Sequence, residues 1–66
     1  MKVIFRLYEF RTKKRLTIRQ LEELSGVGKT TINYIENGKA NPTIYVICQL
    51  AEALECSPYD LFYIEK

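Results

Sequence analysis

Four polar side chains, Lys29, Thr30, Asn33 and Tyr34, are spaced so that an α-helix would place them together on one side. Lysine can donate to the O6 and N7 acceptors of guanine. Asparagine can pair with adenine through two hydrogen bonds, and threonine can bond a base or touch a thymine methyl. On an isolated helix these residues would indicate only an ordinary solvated face. With suitable neighbours, they indicate recognition of base edges in a nucleic acid.

The residues before this set predict a short helix over Ile18–Ser25. Thr17 is a typical N-cap, and Gln20 three residues later completes a capping-box pattern. Gly26 ends the helix, because the residue after a helix often needs a positive φ that glycine adopts without strain. The side chains expected to face inward are Ile18, Leu21 and either Leu24 or Ser25.

A tight corner and a second short helix, about Lys29–Glu36, follow. Val27 is the single apolar residue of the corner, so we expect it to fill the gap between the two helices. Gly28 stands at the next N-cap position, where glycine is tolerated although it has no capping oxygen. Ile32 and Ile35 form the inward pair, which leaves the polar set facing outward.

Helical spacing of apolar residues predicts three more helices, roughly over Arg6–Lys14, over Thr43–Leu54, and from Ser57-Pro58 to about Tyr63. Five short helices with short connections predict a compact all-α domain that spans residues 1–66. The inward residues expected in the fourth helix are Ile44, Ile47, Cys48, Ala51 and Leu54.

The formal net charge of +2 over 66 residues is unevenly distributed. Residues 1–40 contain nine Lys or Arg against four Asp or Glu, a net charge of +5. Residues 41–66 contain one Lys against four acids, a net charge of −3. A basic first part indicates a surface for a polyanion, and chance scatter of surface charge is the alternative.

The composition argues against several classes of function. Cys48 and Cys56 form no CxxC pair and the chain has no histidine, so no metal site or cofactor is expected. Cys48 is expected to be a small buried residue and Cys56 a loop residue. Free thiols and the lack of a signal peptide indicate the cytoplasm. No catalytic residue is assigned, because no histidine or paired carboxylates offer acid–base chemistry. No membrane or small-molecule partner is expected.

The chain resembles the helix-turn-helix of the Cro and phage-repressor family, also called the XRE family. The resemblance extends from about Leu7 to Phe62 and rests on an ordered set of residues. It implies a five-helix, lambda-repressor-like domain in which helices 2 and 3 form the helix-turn-helix. It also implies binding to double-stranded DNA in the major groove, usually as a homodimer on a two-fold related operator. The matching residues are Leu21, Gly26, Val27, Ile32, Ile35, Glu36-Asn37-Gly38, Asn41-Pro42, Leu50-Ala51 and Ala53-Leu54.

Site residues follow from the resemblance by position. It implies base contacts from Lys29, Thr30 and Tyr34, with Asn33 a weaker candidate. The phosphate contacts that it implies are Thr17, Asn37, Lys39 and Asn41. Charge alone adds Lys13, Lys14 and Arg15 as flanking phosphate candidates, with Arg19 nearby.

In this family the third helix, here about Lys29–Glu36, is the recognition helix. The resemblance also implies an ion pair between Arg11 of the first helix and Glu36 at the end of this recognition helix. Arg11 shares a helical face with Leu7, so it must extend its head to solvent or find a partner. We expect the pair to fix the third helix against the first.

Two positions depart from the family pattern. Glu22 stands where the family usually has alanine, so the helix crossing must accommodate the longer side chain or direct it outward. Ile18 stands where the family often has a glutamine that supports DNA contacts. These departures put the family's binding specificity in question, but not the fold.

The carboxyl end is rich in aromatic residues. Tyr59, Phe62 and Tyr63 are candidates for a dimer contact, and the alternative is that they cover the core. The β-prone segments Val3–Phe5 and Phe62–Ile64 could pair with each other.

The sequence thus predicts a sequence-specific DNA-binding transcriptional regulator, most simply a repressor that blocks polymerase. Two alternatives use the same module on DNA, namely an antitoxin and a restriction–modification controller. A third alternative is a protein-interaction module that has lost DNA binding, and Ile18 and Glu22 are the residues that favour it.

Overall fold

A computed structural model describes residues 1–66 as four α-helices and two paired strands. The elements in chain order are β1 (Lys2–Phe5), α1 (Leu7–Lys13), α2 (Ile18–Ser25), α3 (Lys29–Glu36), α4 (Ile44–Leu54), a 3₁₀ helix (Pro58–Asp60) and β2 (Phe62–Glu65). The strands are antiparallel, so the ribbon joins the two ends of the chain. The fold is therefore mostly helical with a small ribbon.

The local signals around α2 act as predicted. The Thr17 hydroxyl accepts the Gln20 N–H at 3.0 Å, and the Gln20 side chain accepts the Thr17 N–H at 2.8 Å. Gly26 ends the helix in the left-handed conformation with φ +78°. The capping box and the glycine stop are both confirmed, and the bounds of α2 and α3 are those predicted.

The predicted fifth helix is wrong. Ser57 caps a helical turn as expected, and its hydroxyl accepts the Tyr59 N–H at 3.2 Å. The turn is only a 3₁₀ helix, however, and it ends at Asp60. The next residues are aromatic or β-branched, and such residues favour a pleated strand over a helix when a partner strand is available.

That partner strand is β1. Phe5 lies opposite Phe62 and Val3 lies opposite Ile64, so the two β-prone segments pair, as the sequence left open. Pairing satisfies backbone N–H and C=O groups of both β1 and β2. A continued fifth helix would have satisfied only its own groups.

One apolar core joins the four helices, the corner and the residue before β2. Val27 is buried in the corner, as predicted, and Leu61 is buried between the 3₁₀ helix and β2. Half-buried side chains such as Phe5, Phe10 and Ile18 pack around this core. The ten buried residues are Leu7, Leu21, Val27, Ile32, Ile35, Ile47, Leu50, Ala51, Leu54 and Leu61.

The inward face of α4 differs from the prediction at three positions. Ile44 is 72% exposed and Cys48 is exposed, whereas Leu50 is fully buried. Each residue advances about 100° around a helix, so Cys48 lies about 100° from the buried Ile47 and leaves the core face. Ile44 lies in the first turn, which extends past the edge of the core.

Cys56 lies after α4 and is half-buried, in agreement with its expected position in a loop. Burial, followed by the charge of Asp60, raises the pKa of its thiol. A raised pKa keeps the sulfur protonated at neutral pH, which is the less nucleophilic form.

Candidate nucleic-acid interface

The outer face of α3 is displayed to solvent because its opposite face is anchored in the core. Ile32 and Ile35 are both buried, at 0% and 1% exposure. The four predicted base-contacting residues all lie on the other side of this short helix, and all are exposed. They are Lys29, Thr30, Asn33 and Tyr34.

A shallow concave surface runs from the amino end of α2 across α3, and we name it the α2–α3 surface. It brings together all four base candidates and one phosphate candidate, Thr17. Ile18 contributes an apolar patch to it while also packing against the core. The lining residues are Arg11, Thr17, Ile18, Arg19, Lys29, Thr30, Asn33 and Tyr34.

An ion pair between α1 and α3 connects the two helices. Arg11 forms two hydrogen bonds to the Glu36 carboxylate, one of them from Nη2 to Oε1 at 2.9 Å. Arg11 Nη1 donates to the Leu16 carbonyl at 2.8 Å, so the same side chain also binds the loop between α1 and α2. The guanidinium also lies 5.3 Å from the centre of the Tyr8 ring. The hydrogen bond to Glu36 raises the pKa of Arg11.

The amino end of α3 is capped from α2. Gly28 has no side chain to cap the helix, and the Glu22 carboxylate accepts the Lys29 N–H at 2.8 Å instead. Glu22 is half-buried, so it is neither directed fully outward nor an obstacle to the helix crossing. The sequence contained the relevant signals, a glycine N-cap and an unexpected acid in the preceding helix, but did not show that they meet.

Asn37 organises the carboxyl end of α3. Its amide Nδ2 donates to the Asn33 carbonyl at 2.8 Å and to the Asn33 side-chain oxygen at 3.1 Å. These two bonds compete with a phosphate contact from the same amide nitrogen. The same bonds leave the Asn33 amide group free to donate to a base.

The remaining phosphate candidates are exposed, and in the chain they lie before α2 and after α3. Thr17 begins α2, and Lys13 and Arg15 lie at the end of α1. Lys39 and Asn41 follow α3, and Asn41 lines a crevice between β1 and the carboxyl end of α3. Their contact with phosphates stays a prediction.

Lys14 is the one flanking cation with an acidic partner in the fold. Its ammonium group lies 2.7 Å from the Glu55 carboxylate at the end of α4. The hydrogen bond from Lys14 lowers the pKa of Glu55. This arrangement directs Lys14 toward α4, so it is the weakest of the three predicted flanking contacts.

Arg19 is a further candidate for a phosphate contact, one that the sequence alone placed only near the flanking cations. It lines the α2–α3 surface beside Lys29 and Thr30. Its closest acidic neighbour is Glu23 at 3.8 Å, and both side chains are exposed. Such a pair is weak and leaves the guanidinium available for a phosphate. Its position in the first turn of a capped helix was the signal that could have revealed it.

Aromatic side chains collect around the 3₁₀ helix and β2. Tyr59 is 81% exposed and Tyr63 is 47% exposed, whereas Phe62 is half-buried against the core. The Tyr59 and Phe62 rings lie 6.4 Å apart between centroids. Phe62 therefore covers the core, and the two tyrosines do not.

Nowhere do three or more His, Cys, Asp or Glu side chains gather in a group that could hold a metal ion. None of the helices has both the length and the apolar character that crossing a bilayer requires.

A short helix with a polar outer face, set against a second helix through a buried corner, defines the class of helix-turn-helix proteins. Residues 7–61 match the helix-turn-helix family HTH_3. The chain therefore belongs to this Cro and phage-repressor type of helix-turn-helix family, as its resemblance indicated. An uncharacterized HTH-type transcriptional regulator of Archaeoglobus fulgidus is 31% identical over 61 residues, which are 92% of this chain and 86% of the relative.

Solved structures support the same assignment. The restriction-modification controller protein C.AhdI from Aeromonas hydrophila is 38% identical, with a TM-score of 0.82 over 86% of each chain. The N-terminal DNA binding domain of SinR from Bacillus subtilis is 27% identical, with a TM-score of 0.77 over 82% of this chain and 80% of that one. These similarities extend over the helix-turn-helix and the rest of the core.

Proposed function

We propose that this protein regulates transcription, most simply as a repressor, by placing α3 in the major groove of double-stranded DNA. The observation that carries the proposal is the α2–α3 surface, where four exposed hydrogen-bonding side chains stand on a helix with a buried opposite face. Membership of the helix-turn-helix family supports it.

We propose two kinds of contact with DNA on this surface. Lys29 and Thr30 stand at the amino end of α3, where a helix entering the groove meets base edges. Thr17 and Arg19 stand at the start of α2, where they would meet the phosphates beside the groove. Base contacts supply sequence preference, and phosphate contacts supply most of the salt-dependent affinity.

The proposal is tested by selecting bound sites from a random pool of duplex DNA. We expect an enriched motif with two-fold symmetry and half-sites about 10 base pairs apart, because two copies of α3 would read adjacent major grooves. The affinity should fall with salt by about 0.9 log unit per log unit of salt for each phosphate contact. Failure to enrich any sequence at low ionic strength would reject the proposal.

We propose further that the protein acts as a homodimer through Tyr59, Tyr63 and the edge of Phe62. Large exposed aromatic rings beside an apolar ribbon are the residues that most often anchor protein interfaces. The double variant Tyr59→Ala, Tyr63→Ala should raise the dimer dissociation constant by about thirtyfold, measured by sedimentation equilibrium.

The control for the dimer test is Tyr45→Ala, a tyrosine of α4 that is 73% exposed and outside the proposed contact. It should leave the dimer dissociation constant unchanged. If Tyr45→Ala dissociates the dimer while the double variant does not, the interface lies elsewhere.

A second candidate function is the control of a restriction–modification system. The observation that favours it is the 38% identity to C.AhdI over 86% of both chains. Genes for a nuclease and a methyltransferase beside this one, with the selected motif upstream of them, would establish that role. A motif found only upstream of unrelated genes would reject it.

A further inference from the structure

The amino end of α3 has an unusual need for a cap. Its N-cap residue, Gly28, has no side-chain oxygen, and no acidic residue lies in the first turn of the helix. The helix dipole and the free N–H groups give such an end a partial positive charge. Left open, it would attract any nearby anion, and on a DNA-binding protein the nearest anions are phosphates.

Glu22 meets this need from the neighbouring helix. Its Oε2 accepts the Lys29 N–H at 2.8 Å, and its side chain is half-buried in the angle between α2 and α3. The bond fixes the backbone of Lys29, the first residue of the recognition helix. The carboxylate also places a negative charge at the partly positive amino end of α3.

We propose that Glu22 is a specificity-determining residue, an inference that rests on the proposed binding of duplex DNA. It holds Lys29 in position and repels phosphates from the amino end of α3. In a non-specific complex the protein is held by phosphates alone, so this repulsion acts on the main source of affinity. In the operator complex the same end of α3 faces base edges, so the repulsion costs less. Glu22 therefore widens the difference between operator and random DNA.

The variant Glu22→Gln tests the charge, because glutamine keeps an acceptor oxygen for the Lys29 N–H and removes the negative charge. The matched control is Glu52→Gln, which removes the charge of an exposed carboxylate on α4 that forms no salt bridge in the fold. Dissociation constants are measured by fluorescence anisotropy for the selected operator duplex and for a random-sequence duplex of equal length, at two salt concentrations.

For Glu22→Gln we expect affinity for the random duplex to rise about fivefold at low salt, the effect of one unit charge about 4 Å away through water. The operator affinity should rise less, so the ratio of the two affinities falls. Added salt should shrink the effect. The proposal is overturned if Glu22→Gln leaves the random-duplex affinity at the wild-type value, or if Glu52→Gln raises that affinity equally.

Hydrogen exchange at the Lys29 amide tests the cap without DNA. Protection should persist in Glu22→Gln and disappear in Glu22→Ala, and unchanged protection in Glu22→Ala overturns the positioning role. If the wild-type protein binds no duplex at low salt, the proposed DNA binding fails and the specificity role fails with it. If the wild-type protein binds its operator and Glu22→Gln behaves identically, only the inference about Glu22 fails.

Discussion

Replacing Glu36 by alanine is expected to lower the free energy of unfolding by about 3 kcal/mol or more, because it leaves the Arg11 guanidinium buried without its partner. The two side chains are only 11% and 7% exposed, so water replaces the lost carboxylate poorly. Total stabilities of small domains are of the order of 5 kcal/mol, so the variant should be close to unfolding at room temperature. Urea denaturation followed by circular dichroism measures the change.

Two further variants test whether the loss of stability comes from the unpaired Arg11 and not simply from the removal of a carboxylate. Glu9→Ala removes a carboxylate that pairs with Arg6 on the surface, and it should change the stability by about 0.5 kcal/mol or less. The double variant Arg11→Leu, Glu36→Leu should recover much of the loss, because apolar side chains can replace a buried ion pair. A Glu36→Ala protein as stable as Glu9→Ala would show that the pair does not hold α3.

The helix-turn-helix was predictable because its signals are local. Thr17 and Gln20 satisfy each other's backbone groups at the start of α2, and Gly26 adopts the left-handed conformation that ends it. Both signals lie within a few residues of the helix boundary that they determine. The position of the four exposed polar residues of α3 was predictable for the same reason. Ile32 and Ile35 point inward, so these residues must lie on the opposite face of the helix.

The strand β2 was less predictable, because its formation depends on a distant partner. Ser57 and Pro58 correctly predict a helical turn, but only pairing with β1 decides that Phe62–Glu65 is extended. The exposure of Ile44 has a similar cause. Ile44 lies three residues before the buried Ile47, which is the spacing of a core residue. It stays exposed because no other part of the core covers the first turn of α4.

The candidate site was partly predictable for the same reason. Residue types and helical spacing were enough to identify the base candidates on α3. They did not show that Asn37 already bonds to Asn33, or that Lys14 reaches Glu55 across 41 positions of sequence. Such contacts depend on which side chains the fold brings together, so they appear only in the structure.

The largest effect on function is expected from Lys29. Lys29→Ala and Lys39→Ala each remove one positive charge, so their difference isolates the role of the side chain. Lys29→Ala should weaken operator binding about tenfold to a hundredfold and relax the preference at one base pair, because a good base contact discriminates by about 1–3 kcal/mol. Lys39→Ala should weaken binding to all sequences alike and reduce the salt slope by about 0.9. Competition binding with single-base operator variants distinguishes the two patterns.

A neighbouring pair of threonines provides an independent check on the same assignment. Thr30 lines the α2–α3 surface, whereas Thr31 is exposed on the same helix but does not line it. Thr30→Ala should therefore change the selected motif, and Thr31→Ala should not, although the two substitutions are chemically identical and equally mild for the helix. Equal effects from Thr30→Ala and Thr31→Ala would mean that α3 is rotated on the DNA. Equal motif changes from Lys29→Ala and Lys39→Ala would mean that the division between base and phosphate contacts is wrong.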